Sequence, residues 1–497
     1  VMYSVITPIF EAPDELYHFP FVKRLADGEG LPVQYPDRLG PWRQEGGQPP
    51  LYYALGALLV RGIDTGDIDR VRWINPHADI GVVTVDRNVN AVIHPPGEGW
   101  PWRGTALAVH LLRWMSLLIG AVTVLAGYLL AREVFPGDRA LALCAACLTA
   151  FNPMFLFITS SVNNDPLAVM LCALGIWLMV KYAAGRPGPL EWACLGAILG
   201  LGSISKVSAL GMIPLAALTI LAVAWRHRSW RDLLLGGLLV GLPILALAGW
   251  WYYRNWQLYG DPTALSTIVA IMGARHPRPT FRQLLGEWRG FVMSYWGFFG
   301  WMNVPAPDWV YRLLSAFGIV GLVGAPIYLW RAHREERFGI VGWVQAGLTI
   351  LWPCILSVGL VRWAMTTAGT QGRLIFPAIT AISLVMVMGL AGLMSSRLRT
   401  LLPGAMSVGM AVIAVLLPLV TIRPAYAPPT LLTDLDVVGH SQRLDVTFDG
   451  KVRLLGYNLE KHQVSPGQTL SVTLYWKVLA PMQENYSVFV HLLGAND

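Results

Sequence analysis

The residues of this chain that could do chemistry are carboxylates and cations at the edges of long apolar runs. Asp14 and Glu15 are neighbours in PIFEAPDELYHFPF, residues 8–21, and His18 follows one helical turn later. An ionised carboxylate can remove the proton from a hydroxyl nucleophile. Adjacent residues point in different directions in a helix or a strand, so the pair favours a reaction with one base over one that needs two facing acids.

Three cations stand at similar edges: Lys206 in ISKVSAL, Arg254 in WWYYRNWQLYGDP and Arg373 in TQGRLIFPA. A charge within the hydrocarbon costs about 2.5–3.5 kcal/mol on insertion scales, so a cation at such an edge is a functional candidate. Cations there can hold the negative charge of a leaving phosphate. The structural alternative is that each side chain reaches the lipid phosphates or pairs with an acid of a loop.

Amides and a further acid complete this set of polar residues. Asn163, Asn164 and Asp165 lie in SVNNDPL at the start of an apolar run, and Gln48 opens QPPLYYALGALL. Asp165 precedes a proline, as the first residues of helices often do, and Asp14 follows a proline at a position that suits a helix cap. For both acids a structural role therefore stands beside the chemical one.

The elements that must position these residues are predicted to be membrane-spanning helices. The chain has 497 residues, of which 55% are hydrophobic and 13% charged. Runs of roughly 20 apolar residues can cross about 30 Å of hydrocarbon, so we predict an all-α polytopic membrane protein. The predicted spans are residues 111–134, 140–158, 165–184, 190–204, 208–225, 233–254, 310–330, 339–361, 374–394 and 401–422. Because the chain begins at Val1 and not at Met, we expect one further span before it.

The distribution of Lys and Arg predicts the sidedness of the loops. Basic connections, such as 132–139 and 226–231, alternate with connections nearly free of Lys and Arg, and the basic ones are expected in the cytoplasm. A large first loop, 11–105, and a second, 255–309, then lie outside the plasma membrane with the candidate residues. The same bias accounts for the net charge of +7, so we expect no nucleic-acid partner.

The C-terminal residues, 431–497, have a different pattern. LDVTFDGKVRLLGYNLE and QTLSVTLYWKVL alternate apolar and polar residues between turn-forming segments. This pattern predicts an antiparallel β-sandwich, here incomplete. We therefore predict a transmembrane domain, 1–430, and an extracytoplasmic β domain, 431–497.

Acids beside cations at a membrane surface fit the transfer of a sugar from a polyprenyl-phosphate donor within the membrane lipid. The leaving phosphate is already ionised and needs cations, while a carboxylate takes the proton of the attacking hydroxyl. The acceptor is expected to be an extracytoplasmic glycan, lipid or protein.

The ordered series of motifs resembles the multispanning glycosyltransferases of the GT-C superfamily, which include protein O-mannosyltransferases and the lipid A aminoarabinose transferase. PIFEAPDELYHFPFVKRLADGEGLP resembles their first outer loop, QPPLYYALGALL a Pro-Pro-Leu segment of that loop, and NND an acidic position in the second. GLGSISKVSAL resembles a Gly-rich Thr-Lys stretch, with Ser205 in place of Thr. QGRLIFPAI resembles a Gly-Arg-Tyr motif, with Leu374 in place of Tyr. The series covers most of residues 8–425.

This resemblance implies a hexosyl- or pentosyltransferase and a role for each candidate residue. Asp14 would be the catalytic base, and Glu15 would position the donor or the acceptor. The contacts to the donor phosphate would come from Lys206, Arg254 and Arg373. Residues serving the acceptor or its loop would be Asn164, Asp165, His18 and Gln48. Asp165 would also be able to hold a divalent cation, Mg²⁺ or Mn²⁺, since members of the superfamily differ in metal dependence.

Two other functions stay open on the sequence alone. A transporter or flippase of lipid-linked saccharides is expected to have paired repeats with broken helices and polar residues at mid-membrane. Here the ionisable residues gather at one face, and no internal repeat is visible. A non-catalytic membrane scaffold that presents the β domain predicts no consequence when Asp14 is neutralised.

Overall fold

The computed structural model describes residues 1–83, 88–95, 97–394, 396–428, 432, 442–465, 467–482, 486 and 488–491, and it describes only the backbone of 396–402. The chain divides into two compact units, Val1–Tyr426 and Ala427–Asp497.

The first unit is built almost entirely of helices. These are α1 (Met2–Ile6), α2 (Glu15–Ala26), α3 (Leu51–Val60), α4 (Ile68–Val71), α5 (Gly104–Val134), α6 (Arg139–Ala150), α7 (Pro153–Thr159), α8 (Asp165–Ala184), α9 (Pro189–Ser203), α10 (Met212–Arg226), α11 (Trp230–Tyr259), α12 (Leu265–Met272), α13 (Phe281–Gly286), α14 (Trp288–Trp296), α15 (Asp308–Arg334), α16 (Ile340–Thr366), α17 (Ile379–Leu393), α18 (Ser396–Leu417) and α19 (Arg423–Ala425). Short 3₁₀ turns cover Arg43–Gly47, Val207–Gly211 and Gly372–Ala378, and a π turn covers Pro418–Ile422.

Eight helical segments among the described residues are long and apolar enough to cross a membrane, and the bent pair α6–α7 makes nine. The eight are Gly104–Val134, Asp165–Ala184, Val207–Arg226, Trp230–Tyr259, Asp308–Arg334, Ile340–Thr366, Gly372–Leu393 and Pro403–Ala425. The predicted all-α polytopic fold is thereby confirmed, and the chain is a multi-pass membrane protein.

Two predicted spans differ in detail from the helices observed. The run at 190–204 forms α9, whose 15 residues extend over about 22 Å at 1.5 Å per residue, less than the hydrocarbon thickness of about 30 Å. The run at 140–158 is broken into α6 and α7, which meet at an angle of 59°. The break lies where the Asn152 side chain caps α7 just before Pro153.

Close approach between helices depends on small residues, as is usual in membranes. A Cβ added at Gly196 of α9 would lie 2.6 Å from the carbonyl oxygen of Val240 on α11. One added at Gly389 of α17 would lie 1.6 Å from the carbonyl oxygen of Gly321 on α15. Almost all residues of α17 are buried inside the bundle.

The two large loops pack against each other. The 3₁₀ turn Arg43–Gly47 of the first loop lies against α12 of the second. A short hairpin, β1 (Phe298–Phe299) with β2 (Val304–Pro305), follows α14. Beside this hairpin, Trp301 Nε1 donates to the Phe10 carbonyl oxygen at 2.9 Å. The second loop therefore fixes the segment that leads to Asp14.

The second unit contains a small antiparallel sheet, which confirms the predicted C-terminal β structure. Its strands are β3 (Gln442–Phe448), β4 (Val452–Leu459) and β5 (Val472–Val478), in the order β3-β4-β5. The segment NYSVFVHLLG, 485–494, which also alternates apolar and polar residues and is likewise predicted to be a strand, lies half outside the described residues.

Candidate active site

Connections at one end of the bundle bring the candidate residues together. The chain reverses direction between α7 and α8, between α9 and α10, and between α16 and α17. These three reversals carry Asp165, Lys206 and Arg373, and the start of α2 carries Asp14. Residues far apart in the sequence therefore meet at a single end of the helix bundle.

Asp14, Arg373, Asp165 and Lys206 form a chain of alternating charges, called here the charged cluster. Arg373 Nη2 donates to Asp14 Oδ2 at 2.5 Å, and Arg373 Nη1 lies 3.5 Å from Asp165 Oδ2. Lys206 Nζ pairs with the other oxygen of Asp165. The Arg373 and Asp165 side chains are only 5% and 7% exposed, whereas Asp14 is 24% exposed. Asp14 is thus the acid most open to an incoming molecule.

Helix capping, the structural alternative for Asp14 and Asp165, does not account for these contacts. Asp14 occupies the position before α2, but its side chain makes no capping hydrogen bond. Its backbone is in the left-handed region, φ 63°, a strained conformation that persists where neighbouring structure enforces it. The residue in the capping position of α8 is Asn164, and the Asp165 carboxylate turns to the two cations instead.

Two predicted amide residues flank the charged cluster. Asn164 Nδ2 donates to the Ser205 carbonyl oxygen at 3.1 Å and to Gln48 Oε1 at 3.3 Å. Ser205 precedes Lys206, so this contact ties the QPP segment of the first loop to the turn that bears the lysine. Asn164 Oδ1 is buried without a hydrogen-bond partner among the described residues.

His18 and Glu45 lie on the other side of Asp14. His18 Nδ1 is 2.8 Å from the Tyr53 hydroxyl and 3.7 Å from Glu45 Oε2. Burial lowers the pKa of His18 to about 4. Burial, and then the charge of Asp14, raises the pKa of Glu45 to about 8. Both shifts favour the uncharged form of these groups.

One side-chain set within the described part of the chain has the spacing for a metal ion. A ligand atom from each of Asp14, His18 and Glu45 lies within 4.8 Å of the others. Two carboxylates with one imidazole suit Mn²⁺ or Zn²⁺ better than Mg²⁺, which prefers oxygen ligands. Asp165, the residue expected to hold a divalent cation, pairs with Lys206 and Arg373 in this structure.

Glu15 does not join the charged cluster but forms a buried ion pair with Arg113 of α5. Both side chains are fully buried, and the two guanidinium–carboxylate contacts are 2.9 and 2.6 Å. The Glu15 carboxylate also accepts from the backbone N–H groups of Phe10 and Val162, each at 2.8 Å. It is therefore fully occupied, and the structure gives it an anchoring role.

Arg113 completes this anchor with its remaining N–H groups. They donate to the carbonyl oxygens of Ser4, Thr7 and Pro8 at 2.7–2.8 Å. The pair thus holds the segment that leads to Asp14 and, through Val162, the turn that leads to Asp165.

Arg254 is not brought into the charged cluster. Its guanidinium lies over the Trp251 ring at 5.0 Å and donates to the Pro32 carbonyl oxygen at 2.8 Å. These contacts brace the first loop against α11.

Sequence reasoning missed Arg113 and Glu45. The position of Arg113 inside the predicted span 111–134 is itself a signal, because an intramembrane charge needs a partner. No comparable signal marks Glu45, since its position follows from the folding of the first loop around His18.

The fold and the charged cluster define a multi-pass membrane protein with a candidate active site at one end of its helix bundle. Residues 104–382 match the family described as Predicted membrane protein (DUF2142), and the chain belongs to this family. The matched region includes Arg113, Asp165, Lys206 and Arg373, and it begins after the first loop.

Curated relatives match a shorter part of the chain. Over 161 residues it is 30% identical to the undecaprenyl phosphate-alpha-4-amino-4-deoxy-L-arabinose arabinosyl transferase of Pseudomonas aeruginosa, covering 29% of this chain and 29% of that protein. The same transferase of Pseudomonas paraeruginosa is 30% identical over 143 residues, covering 28% of this chain and 26% of that protein. The predicted resemblance to aminoarabinose transferases is thereby confirmed, although each match spans under a third of the relative's length.

Two solved structures resemble this chain over most of its length. ArnT from Cupriavidus metallidurans bound to undecaprenyl phosphate has a TM-score of 0.44 and 14% identity, covering 83% of this chain and 61% of that one. AglB, the archaeal oligosaccharyltransferase from Archaeoglobus fulgidus, in complex with an inhibitory peptide and a dolichol-phosphate, has a TM-score of 0.41 and 12% identity, covering 85% and 54%.

Removing Arg113 should destabilise the whole site end of the bundle. Arg113→Ala leaves the Glu15 carboxylate buried without its counter-charge, and breaking such a pair costs about 3–5 kcal/mol. We expect a large fall in the midpoint of thermal unfolding in detergent. Arg61→Ala, at an exposed arginine, is the control and should change it little. An unchanged midpoint in Arg113→Ala would show that the anchor is dispensable.

A second buried acid predicts how stability depends on pH. Glu11 accepts from the N–H groups of Ala91 and Val92 and from His94 Nε2 at 3.0 Å, while His94 Nδ1 lies 2.8 Å from Glu98. Burial lowers the pKa of His94, but the hydrogen bonds to Glu11 and Glu98 outweigh it and raise that pKa to about 9. The folded state therefore holds this proton more tightly than the unfolded chain, whose histidine pKa is about 6.5.

The stabilisation from protonated His94 is complete below about pH 6.5 and is lost as the pH rises through about 9. Glu45, whose pKa is raised to about 8, adds a further loss of stability as the pH rises from the ordinary glutamate pKa to about 8. We expect the thermal midpoint to fall from pH 6.5 to 9, and to fall less in His94→Gln. His276→Gln, at an exposed loop histidine, should keep the wild-type slope. If the thermal midpoint of His94→Gln falls with pH as steeply as that of the wild type, His94 is not the cause of the pH dependence.

Proposed function

We propose that this chain is an integral membrane glycosyltransferase that moves a sugar from a polyprenyl phosphate to an acceptor hydroxyl. The observation that carries the proposal is the charged cluster, in which the partly exposed Asp14 pairs with the buried Arg373, and Asp165 links Arg373 to Lys206. Such a reaction needs a carboxylate for the nucleophile and cations for the leaving phosphate. The names of the matched transferases, which specify an undecaprenyl-phosphate sugar, support this donor class.

In the proposed reaction the acceptor oxygen forms a bond to the anomeric carbon while the bond from that carbon to the phosphate oxygen breaks. The acceptor proton passes to the Asp14 carboxylate. The bonding electrons leave with the polyprenyl phosphate, whose charge Arg373 and Lys206 stabilise. Because Arg373 is buried and Lys206 is only 19% exposed, their interaction with the phosphate is stronger than it would be in solution.

Asn164 is proposed to orient the sugar or the acceptor. Its Oδ1 is buried and lacks a hydrogen-bond partner among the described residues, while its Nδ2 is fixed by Ser205 and Gln48. A carbonyl oxygen in that position can accept from a sugar hydroxyl, which would relieve the cost of leaving it unpaired. Gln48 then acts through Asn164 by holding its amide in this orientation.

The reaction is proposed to take place on the extracytoplasmic side of the plasma membrane. The connections that bear Asp165, Lys206 and Arg373 are poor in other Lys and Arg, whereas the connections at the opposite end, such as 226–231 and 331–337, are basic. Basic loops are retained in the cytoplasm. An extracytoplasmic glycan, lipid or protein is the acceptor class that this orientation supports.

Neutralising Asp14 should abolish transfer while leaving the fold intact. With a radiolabelled polyprenyl-phosphate sugar in membranes, we expect Asp14→Asn to lower the transfer rate by about 10²–10⁴-fold, the usual contribution of a positioned base. Asp37→Asn, at an exposed aspartate of the same loop, is the charge-matched control and should retain the wild-type rate. Wild-type transfer in a folded Asp14→Asn protein would exclude Asp14 as the base. Failure of the wild type with every donor would favour a transporter or a scaffold.

A divalent cation is proposed to bind between Asp14, His18 and Glu45, the set with suitable spacing. When bound, the ion would supply positive charge beside the reacting phosphate. We expect Mn²⁺ to bind the chelator-treated protein, as followed by electron paramagnetic resonance of the ion, and to bind more weakly to His18→Gln. His276→Gln should match the wild type. Full transfer after chelation, together with equal Mn²⁺ binding by His18→Gln, would overturn this site.

A further inference from the structure

Each nitrogen of the Arg373 guanidinium already has a partner in this structure. Nε donates to Gln371 Oε1 at 2.6 Å, Nη2 donates to Asp14 Oδ2 at 2.5 Å, and Nη1 lies 3.5 Å from Asp165 Oδ2. The side chain is 5% exposed. A phosphate that takes two hydrogen bonds from this buried arginine must therefore compete with a present partner for the same guanidinium nitrogens.

The charges of the cluster balance without a ligand. Arg373 and Lys206 supply two positive charges, and Asp14 and Asp165 supply two negative ones. An arriving phosphate adds negative charge to a poorly hydrated site, where like charges repel strongly. Its binding is therefore favourable only if a carboxylate gives up its cation.

Asp14 is the partner best placed to leave. Asp165 is 7% exposed and bound to both cations, so releasing it would strand a buried charge. Asp14 is 24% exposed, and its second contact, from Gln44 Nε2, is long at 3.5 Å. The cost of returning Asp14 to water is correspondingly smaller.

We propose that the donor phosphate and Asp14 compete for Arg373, so that donor binding breaks the Asp14–Arg373 pair and frees the base. This inference rests on the proposed function. In the free protein the base is held by Arg373 and cannot serve a nucleophile. Once the phosphate has taken Arg373, the Asp14 carboxylate is released beside the anomeric carbon, so the donor must bind before the acceptor is activated.

Competition makes a prediction opposite to that for transfer: Asp14→Asn should bind the donor phosphate more tightly than the wild type. We would measure the dissociation constant of undecaprenyl phosphate for the full chain in nanodiscs. We expect about fivefold tighter binding or more in Asp14→Asn, the lower range of coupling between linked sites. Asp37→Asn carries the same change in net charge and should bind as the wild type does.

A double-mutant cycle separates competition for Arg373 from a general effect of charge. In an Arg373→Gln background, Asp14→Asn should bring no gain in affinity, because the contested cation is absent. If Asp14→Asn still raises the affinity in the Arg373→Gln background, the gain reflects only general repulsion between the Asp14 charge and the phosphate. That result would overturn the proposed competition for Arg373. Equal or weaker binding by Asp14→Asn would also overturn it. If the wild type does not bind undecaprenyl phosphate at all, both the proposed function and the proposed competition for Arg373 are contradicted.

A structure of the wild type with bound undecaprenyl phosphate tests the exchange without any substitution. We expect the Asp14–Arg373 separation to increase from 2.5 Å to beyond the ion-pair limit of about 4 Å, with the phosphate on Arg373. An intact Asp14–Arg373 pair beside a bound phosphate would overturn the proposal, even if Asp14→Asn fails to fold.

Discussion

The buried ion pair between Glu15 and Arg113 is the interaction on which the rest of the site depends. Removing two charges from water costs several kcal/mol per ion, and their attraction repays this cost only when every remaining polar group is also satisfied. Here the five N–H groups of Arg113 are all used, and Glu15 accepts two further backbone bonds. The result is a rigid joint between the first loop, α5 and the turn before α8.

This joint explains how the Asp14 carboxylate can be held in a strained position. Asp14 directly precedes Glu15, and its left-handed backbone is unfavourable for a residue other than glycine. Since Glu15 and the segment before it are fixed by Arg113, the backbone at Asp14 has little freedom to relax. In this conformation the Asp14 side chain accepts from Arg373, on a turn more than 350 residues away in the sequence. The Glu15–Arg113 pair thus has a structural role, and the Asp14–Arg373 pair has the proposed chemical role.

Residue types and sidedness predicted much of this arrangement. Asp14, Asp165, Lys206 and Arg373 were each expected at one end of the bundle, because a charge at the edge of an apolar run needs a partner or a function. The structure brings these four together. The apolar runs likewise predicted the helices, since length and composition determine whether a helix can cross a membrane.

The remaining features depend on packing that the local sequence does not encode. Arg254 has the same residue type and edge position as Arg373, yet it braces Pro32 because α11 lies beside the first loop. Glu15 and Asp14 are adjacent, but the direction of each side chain depends on where α5 places Arg113. Glu45 approaches His18 only after the first loop has folded. Sequence therefore predicted the types of residue at the site, and tertiary contacts decide which of them share it.

The measurement that tests the central claim most directly is the binding of a phosphate-bearing polyprenyl lipid by native mass spectrometry. The wild-type chain would be compared with the Lys206→Gln/Arg373→Gln double variant, each with undecaprenyl phosphate and with the uncharged undecaprenol. We expect one undecaprenyl phosphate per wild-type chain, little retention of undecaprenol, and loss of the phosphate lipid in the double variant. Equal retention of both lipids, or undiminished phosphate-lipid binding by the double variant, would contradict the assignment of the charged cluster as the donor site.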